Sequence, residues 1–126
     1  MSEVRELIAA FHELNATSDR NVARFTPSLV GMFGTTSMLE LFLTALDGAL
    51  ASGTVSESLR RRSQNLVHTF IPQVAGYNGI TDISAQQVTA DQLRAIRTDA
   101  PGSRAEGVRL ILAALHQILA AVINLG

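Results

Sequence analysis

Cysteine, lysine and tryptophan are all absent from this 126-residue chain, and each absence closes off some chemistry. Without cysteine there is no disulfide framework, thiol nucleophile or thiolate metal site. Without tryptophan, and with one tyrosine and five phenylalanines, there is little from which to build a base-stacking platform. The lack of lysine makes every one of the ten basic residues an arginine. Codon bias in a GC-rich genome produces that pattern, and so does selection for planar, bidentate ion pairing. Charge itself is sparse: 17% of residues are charged, against roughly 25% in a typical soluble domain. A formal net charge of −1 creates no general attraction to nucleic acid or to an anionic membrane. The opening Met1-Ser2-Glu3-Val4-Arg5-Glu6 is charged and no apolar h-region follows it. The expectation is therefore no secretion signal, and a cytoplasmic location or one within an intracellular assembly.

What the chain has in abundance is apolar surface, 47% of its residues. From Leu110 to Leu125 only His116, Gln117 and Asn124 interrupt a run of Leu, Ile, Val and Ala. Ser103-Arg104-Ala105-Glu106 has the form of a capping box, in which hydroxyl and carboxylate each satisfy a free backbone N–H. The segment reads as one long terminal helix. Its polar strip is Glu106, Arg109, Ala113, His116, Gln117, Ala120 and Asn124, and Leu115 and Val122 lie near the centre of the apolar arc. Counted from Leu110, the run falls short of the roughly 20 apolar residues that span a bilayer. It is read as core or subunit interface, with Leu110, Ala114 and Ala121 on the shoulder as candidate interface positions.

Ahead of it, Val4, Leu7, Ile8, Phe11 and Leu14 follow the i, i+3, i+4, i+7 spacing of an amphipathic helix. Asp19 to Phe25 suggests a short helical turn, and Thr26-Pro27 a helix start. Ser37-Met38-Leu39-Glu40 reads as a second capping box, opening a helix to Ser52 with Gly53 placed as a left-handed C-cap. Apart from a strip of Glu40, Thr44, Asp47, Gly48 and Ala51, that helix is expected to need cover, Met38 and Leu41 included. Thr54-Val55-Ser56-Glu57 suggests a third box and a third helix, which Pro72 should kink or end near Ile71. Gly76-Tyr77-Asn78-Gly79 is a turn, Ser84 to Gln87 a possible helical turn, and Thr89 with Gln92 a fourth box. No strand pattern emerges. The expected fold is all-α, a single domain over residues 1–126 built as a bundle of about five helices.

Catalytic and metal-binding patterns are not found. His12, His68 and His116 are scattered, without His-x-x-x-His or Glu-x-x-His spacing. There is no Gly-x-Ser-x-Gly, and Gly31-Met32-Phe33-Gly34 is neither a P-loop nor a dinucleotide fingerprint. No catalytic residue, metal ligand or cofactor is therefore assigned. Carboxylates read as solvated partners of nearby arginines, Glu6 with Arg5 and Asp91 with Arg94. Arg60-Arg61-Arg62 is a conspicuous run, yet helical neighbours diverge by 100° and cannot form one patch. Arg61 projects with Gln64, Asn65 and His68, a candidate contact for an anion or acidic partner. Arg62 falls between Leu59 and Leu66, either lying along the edge of the core or forming a buried or interfacial ion pair, with Glu40 or Asp47 as partner.

The run from Leu39-Glu40-Leu41 to Pro72-Gln73-Val74, two helices joined by a tight turn, resembles the first helix pair of rod-shaped plant virus coat proteins. It covers under a third of the chain, the strand-rich region such coats place after the pair is missing, and no functional residue is carried across. The function expected from the sequence is a self-assembling structural or interaction subunit, non-enzymatic, partnered by itself or by another helical protein. The first alternative is a helical nucleocapsid-like protein binding nucleic acid through Arg20, Arg24, Arg60, Arg61, Arg94, Arg97 and Arg104. The second is a small enzyme or ligand carrier with a pocket between apolar helices.

Overall fold

A computed structural model describes residues 2–16, 31–97 and 104–125. Among them 80% are helical and none lies in a strand, so the fold is all-α. The helices are α1 (Ser2–Ala16), α2 (Thr36–Ser52), α3 (Glu57–Asn65), α4 (Ile71–Tyr77), α5 (Ala90–Arg94) and α6 (Arg104–Ile123). A π-helical turn at Leu66–Phe70 joins α3 to α4, and a 3-10 turn at Ala95–Arg97 extends α5. Counting α3, the π turn and α4 as one rod leaves five rods among the helices described in full. The segments around Asp19–Phe25 and Thr26-Pro27, the Thr98–Gly102 loop and the Ser103 cap lie outside the described residues.

Helix α6 sits at the centre and packs against every other α-helix. Ile111, Leu112, Leu115, Ile118, Leu119 and Val122 are at most 2% exposed, and full burial of each such side chain is worth about 1.5–3 kcal/mol. The helix runs from Arg104, and its Ala105–Ile123 stretch of 19 residues is long and apolar enough to cross a bilayer by length and composition alone. In this fold most of the stretch is buried inside the protein, as a central core helix is. Helix α1 contributes Leu7, Ile8, Ala10, Phe11 and Leu14 to the same core and packs on α5, α2 and α6.

The helix ends show where local signals compete. Thr89 caps α5 as expected: its hydroxyl accepts from the Gln92 N–H, and the Gln92 side chain accepts from the Thr89 N–H. Gly53 ends α2 at φ 79°, its N–H donating to the Ala49 carbonyl. Two other boxes shift. Thr35, not Ser37, caps α2, accepting from the Met38 N–H after Gly34 has turned the chain at φ 90°. Ser56, not Thr54, caps α3, accepting from the Leu59 N–H. Neither real cap has a Glu or Gln at the third helical position, so neither forms a reciprocal box.

Pro72 does not end the third helix. Its ring lacks the N–H that an α-helix would direct at the His68 carbonyl. The preceding turn widens, with the Ile71 N–H donating to the Leu66 carbonyl, and winding resumes to Tyr77. A π turn spaces the chain so that a proline can be carried within a continuous rod. Ser84 to Gln87 is a non-helical turn closed by the Gln86 N–H on the Ile83 carbonyl.

Candidate functional site

The three consecutive arginines meet three different surroundings. Arg60 crosses to the end of α6, where its guanidinium donates to the Ile123 carbonyl at 3.3 Å through Nε and to the Leu125 carbonyl through Nη2. Those carbonyls have no acceptor role left inside the helix and carry the negative end of its dipole, so a cation there satisfies both. Arg61 is exposed and reaches Glu57 one turn back at 3.5 Å. Arg62 lies over the ring of Phe42, 4.6 Å from its centroid, and 6.0 Å from that of Phe33. The two rings themselves pack tilted, 5.2 Å apart. Neither Glu40 nor Asp47 pairs with Arg62 within the chain. Glu40 accepts hydrogen bonds from Asn15 and pairs with His12 at 2.9 Å, and Asp47 holds Arg5. The position that is buried between Leu59 and Leu66 is Ser63, fully enclosed, its hydroxyl without a hydrogen-bond partner among the described residues.

The face assigned to Arg61, Gln64, Asn65 and His68 is exposed throughout, but it divides. Arg61 and Asn65 share a shallow depression of about 440 Å³ with Ser58 and Arg62. His68 lies in the π turn and lines a different cavity, beside His116.

Helix α2 presents the largest departure from expectation. Leu39, Phe42, Leu43, Leu46 and Leu50 are buried, yet Met38 is 44% and Leu41 67% exposed. Met38, Leu41, Ala45 and Gly48 follow helical spacing and all four are exposed, with open space where a side chain at Gly48 would project. The result is an outward stripe of two large apolar side chains continued by two small residues. Its flank toward α1 is polar: Arg5 donates to Asp47 through Nε at 2.9 Å and through Nη2 at 3.2 Å. The hydrogen bond from Arg5 holds the Asp47 carboxyl below its ordinary value. Arg5 thus pairs across helices with Asp47 rather than locally with Glu6.

No family model, curated protein or solved structure matches the chain. Its own geometry is therefore the whole basis for assigning a role.

On α6, Ala114 is fully buried within the protein's own core, while Leu110 and Ala121 are half-buried against it. The shoulder intended for a second subunit is thus occupied at Ala114 by this chain. The polar strip is used internally as well. The Gln117 amide grips the backbone of Val88, accepting from its N–H at 2.9 Å and donating to its carbonyl at 3.2 Å. His116 is half-buried, and burial lowers its pKa, with nearby Asp82 opposing and His68 adding to the shift. Among the arginines considered for phosphate contact, Arg60 is engaged at the end of α6 and Arg94 pairs with Glu13 at 2.8 Å and with Asp91 at 3.7 Å. Arg20 and Arg24, and the side chains of Arg97 and Arg104, lie outside the described residues. No group of three or more potential metal-binding side chains occurs among the described residues.

Two features escaped sequence reasoning. The carbonyl contacts of Arg60 span 63 and 65 residues, and no local spacing signals them. The exposure of Leu41 was masked by the apolar character of its neighbours. A count of apolar residues per turn could have found it, because α2 carries more than one helical stripe can bury.

Proposed function

We propose that the protein is a non-enzymatic interaction subunit that pairs with a second copy of itself through the outward stripe of α2. The observation that carries this reading is Leu41, 67% exposed beside Met38 at 44%, on a helix whose opposite side is fully committed to the core. Large apolar side chains in sequence on one helix face are the anchors expected of helix-to-helix docking. Ala45 and Gly48, one and two turns on, let a second backbone approach closely.

The energies favour reversible association over an obligate one. Burying Met38 and Leu41 on both copies contributes roughly 3–7 kcal/mol, which is comparable with the lower range of the cost of immobilising two molecules, about 4–15 kcal/mol. The pairing therefore depends on concentration. Nucleic-acid packaging is less well supported, because Arg5, Arg60 and Arg94 are already engaged within the chain.

Sedimentation equilibrium over about 10 µM to 1 mM, a range matched to weak complexes, tests the proposal. The mass of the wild type should rise with concentration, and Leu41→Glu should remain monomeric with an unchanged helical circular dichroism spectrum. A wild type that stays monomeric throughout refutes self-association, and a Leu41→Glu protein that assembles equally well refutes the α2 stripe as the interface.

A further inference from the structure

The π turn opens beside a cavity of about 360 Å³ between the α3–α4 rod, residues 80–84 and α6. Its apolar lining is aliphatic, with Ile71, Ile80 and Ile83 buried and Pro72 exposed. Polar groups arrive from three directions: His68 from the π turn, Asp82 and Ser84 from the following loop, and His116 from α6. The three isoleucines are at most 7% exposed, so the apolar part is a built surface of the core. A cavity of this size with a few convergent polar groups has the character of a small-molecule site, and π turns recur where helices are adapted to bind.

Hydrogen-bonding capacity decides what fits. The Asp82 carboxylate accepts from Ser84 Oγ at 2.9 Å and retains further lone pairs. No arginine lines the cavity among the described residues, so at neutral pH the Asp82 carboxylate sets the sign of the local field. Burial disfavours the charged form of His116, and a neutral imidazole offers one ring nitrogen as an acceptor. The lining is thus rich in acceptors and negative at its rim. A carboxylate or phosphate ligand would face Asp82 with like charge, and a plain hydrocarbon would leave the polar rim unused.

The geometry points to a binding site for a small primary amine with an apolar body, its ammonium group held by Asp82 and His116 and its alkyl or aryl part seated on Ile71, Pro72, Ile80 and Ile83. The ammonium supplies three donors and no acceptor, the complement of this rim. The three groups His68, His116 and Asp82 do not converge as a metal site, so an organic cation is the better match. This site is separate from the outward stripe of α2 and does not depend on self-association.

Phenethylamine and 3-phenylpropanoate, similar in shape and opposite in charge, distinguish the proposal from generic apolar binding. Titrated into the full chain at neutral pH, phenethylamine should shift the ring resonances of His68 and His116 saturably, while 3-phenylpropanoate should not. Asp82→Asn should weaken amine binding about tenfold or more, the worth of a hydrogen bond to a charged group. Thr81→Trp, at an exposed position that lines the cavity, should abolish it with the helical spectrum retained. The absence of saturable shifts with phenethylamine overturns the inference. So does equal binding of the two compounds, or undiminished amine affinity in Asp82→Asn, whose exposed position makes misfolding no explanation.

Discussion

Replacing each of Arg60, Arg61 and Arg62 with methionine, one at a time, should produce three different losses of stability from the same chemical change. Methionine keeps an aliphatic stem and removes the guanidinium, so packing is largely conserved. Arg60→Met leaves the carbonyls of Ile123 and Leu125 without the donor that satisfies them. Hydrogen bonds to a charged group are worth about 1.5–3 kcal/mol, and a cation at a helix C-terminus adds about 0.3–1 kcal/mol. A total near 2–3 kcal/mol is expected, since the two contributions overlap. Arg62→Met removes a cation from the face of Phe42, worth about 0.5–1 kcal/mol at an exposed site. Arg61→Met removes an exposed one-turn pair with Glu57, about 0.3–0.5 kcal/mol. At roughly 3–5 °C per kcal/mol for a chain of this length, the Arg60 variant should melt about 6–15 °C lower and the Arg61 variant within about 3 °C of the wild type. Urea unfolding should show the same order in its midpoints with unchanged slopes. Molar salt should erase the Arg61 difference and leave most of the Arg60 one, because partly buried pairs are screened less. An Arg60 variant that loses no more than the Arg61 variant refutes the assignment of Arg60 to the end of α6.

Leu115→Ala, at a position with no exposed surface, should cost about 2–5 kcal/mol through lost burial and a residual cavity, measured by urea unfolding. Gln117→Leu should release the Val88 backbone and accelerate hydrogen exchange at the Val88 amide by orders of magnitude, with α6 itself still protected; unchanged exchange there would show that the Gln117 amide does not hold the loop. Asp47 is held below its ordinary pKa by Arg5. Its stabilising effect is therefore present above the unfolded carboxylate range and is lost as pH falls through the depressed folded value. Asp47→Asn should accordingly lower the urea midpoint at neutral pH and converge with the wild type in acid, and a difference that persists or grows in acid contradicts the pairing.

The helical character of the chain was legible because apolar spacing and capping chemistry act within a few residues. Leu7, Ile8, Phe11 and Leu14 lie on the buried face of α1 as their spacing requires. The Thr89–Gln92 box formed in both of its hydrogen bonds, because no distant group competes for either side chain. Glu40 shows the opposite case. Its sequence position suited a capping box, but His12 and Asn15 on α1 bring it stronger partners, and Gly34 turns the chain early enough for Thr35 to cap first. The surroundings of Arg62 were hidden for a related reason. The sequence offers carboxylates as visible partners for a cation, whereas the faces of Phe33 and Phe42 have no charge to count. Position 63 rather than 62 faces inward, a rotation of one residue that apolar spacing alone does not resolve when the inward residue is serine. The cavity joining His68 to His116 was hidden altogether, because it depends on a pairing across 48 positions and on a turn ahead of Pro72 that widens, where the sequence suggests only a kink or an end.

Helix α1 is synthesised well before its main partners. Its principal neighbour is α5, and Glu13 pairs with Arg94 across 81 residues. At about 5–20 residues per second, roughly 4–16 s of translation separate the two, and α6 comes later still. Throughout that interval the face formed by Leu7, Ile8, Phe11 and Leu14 has neither α5 nor α6 to cover it. A nascent chain stalled between Ser52 and Thr89 would therefore display an apolar helix that α5 and α6 do not yet cover, the kind of surface that hydrophobic-segment chaperones bind. Slowing the ribosome across that stretch should lengthen chaperone occupancy without altering the final fold.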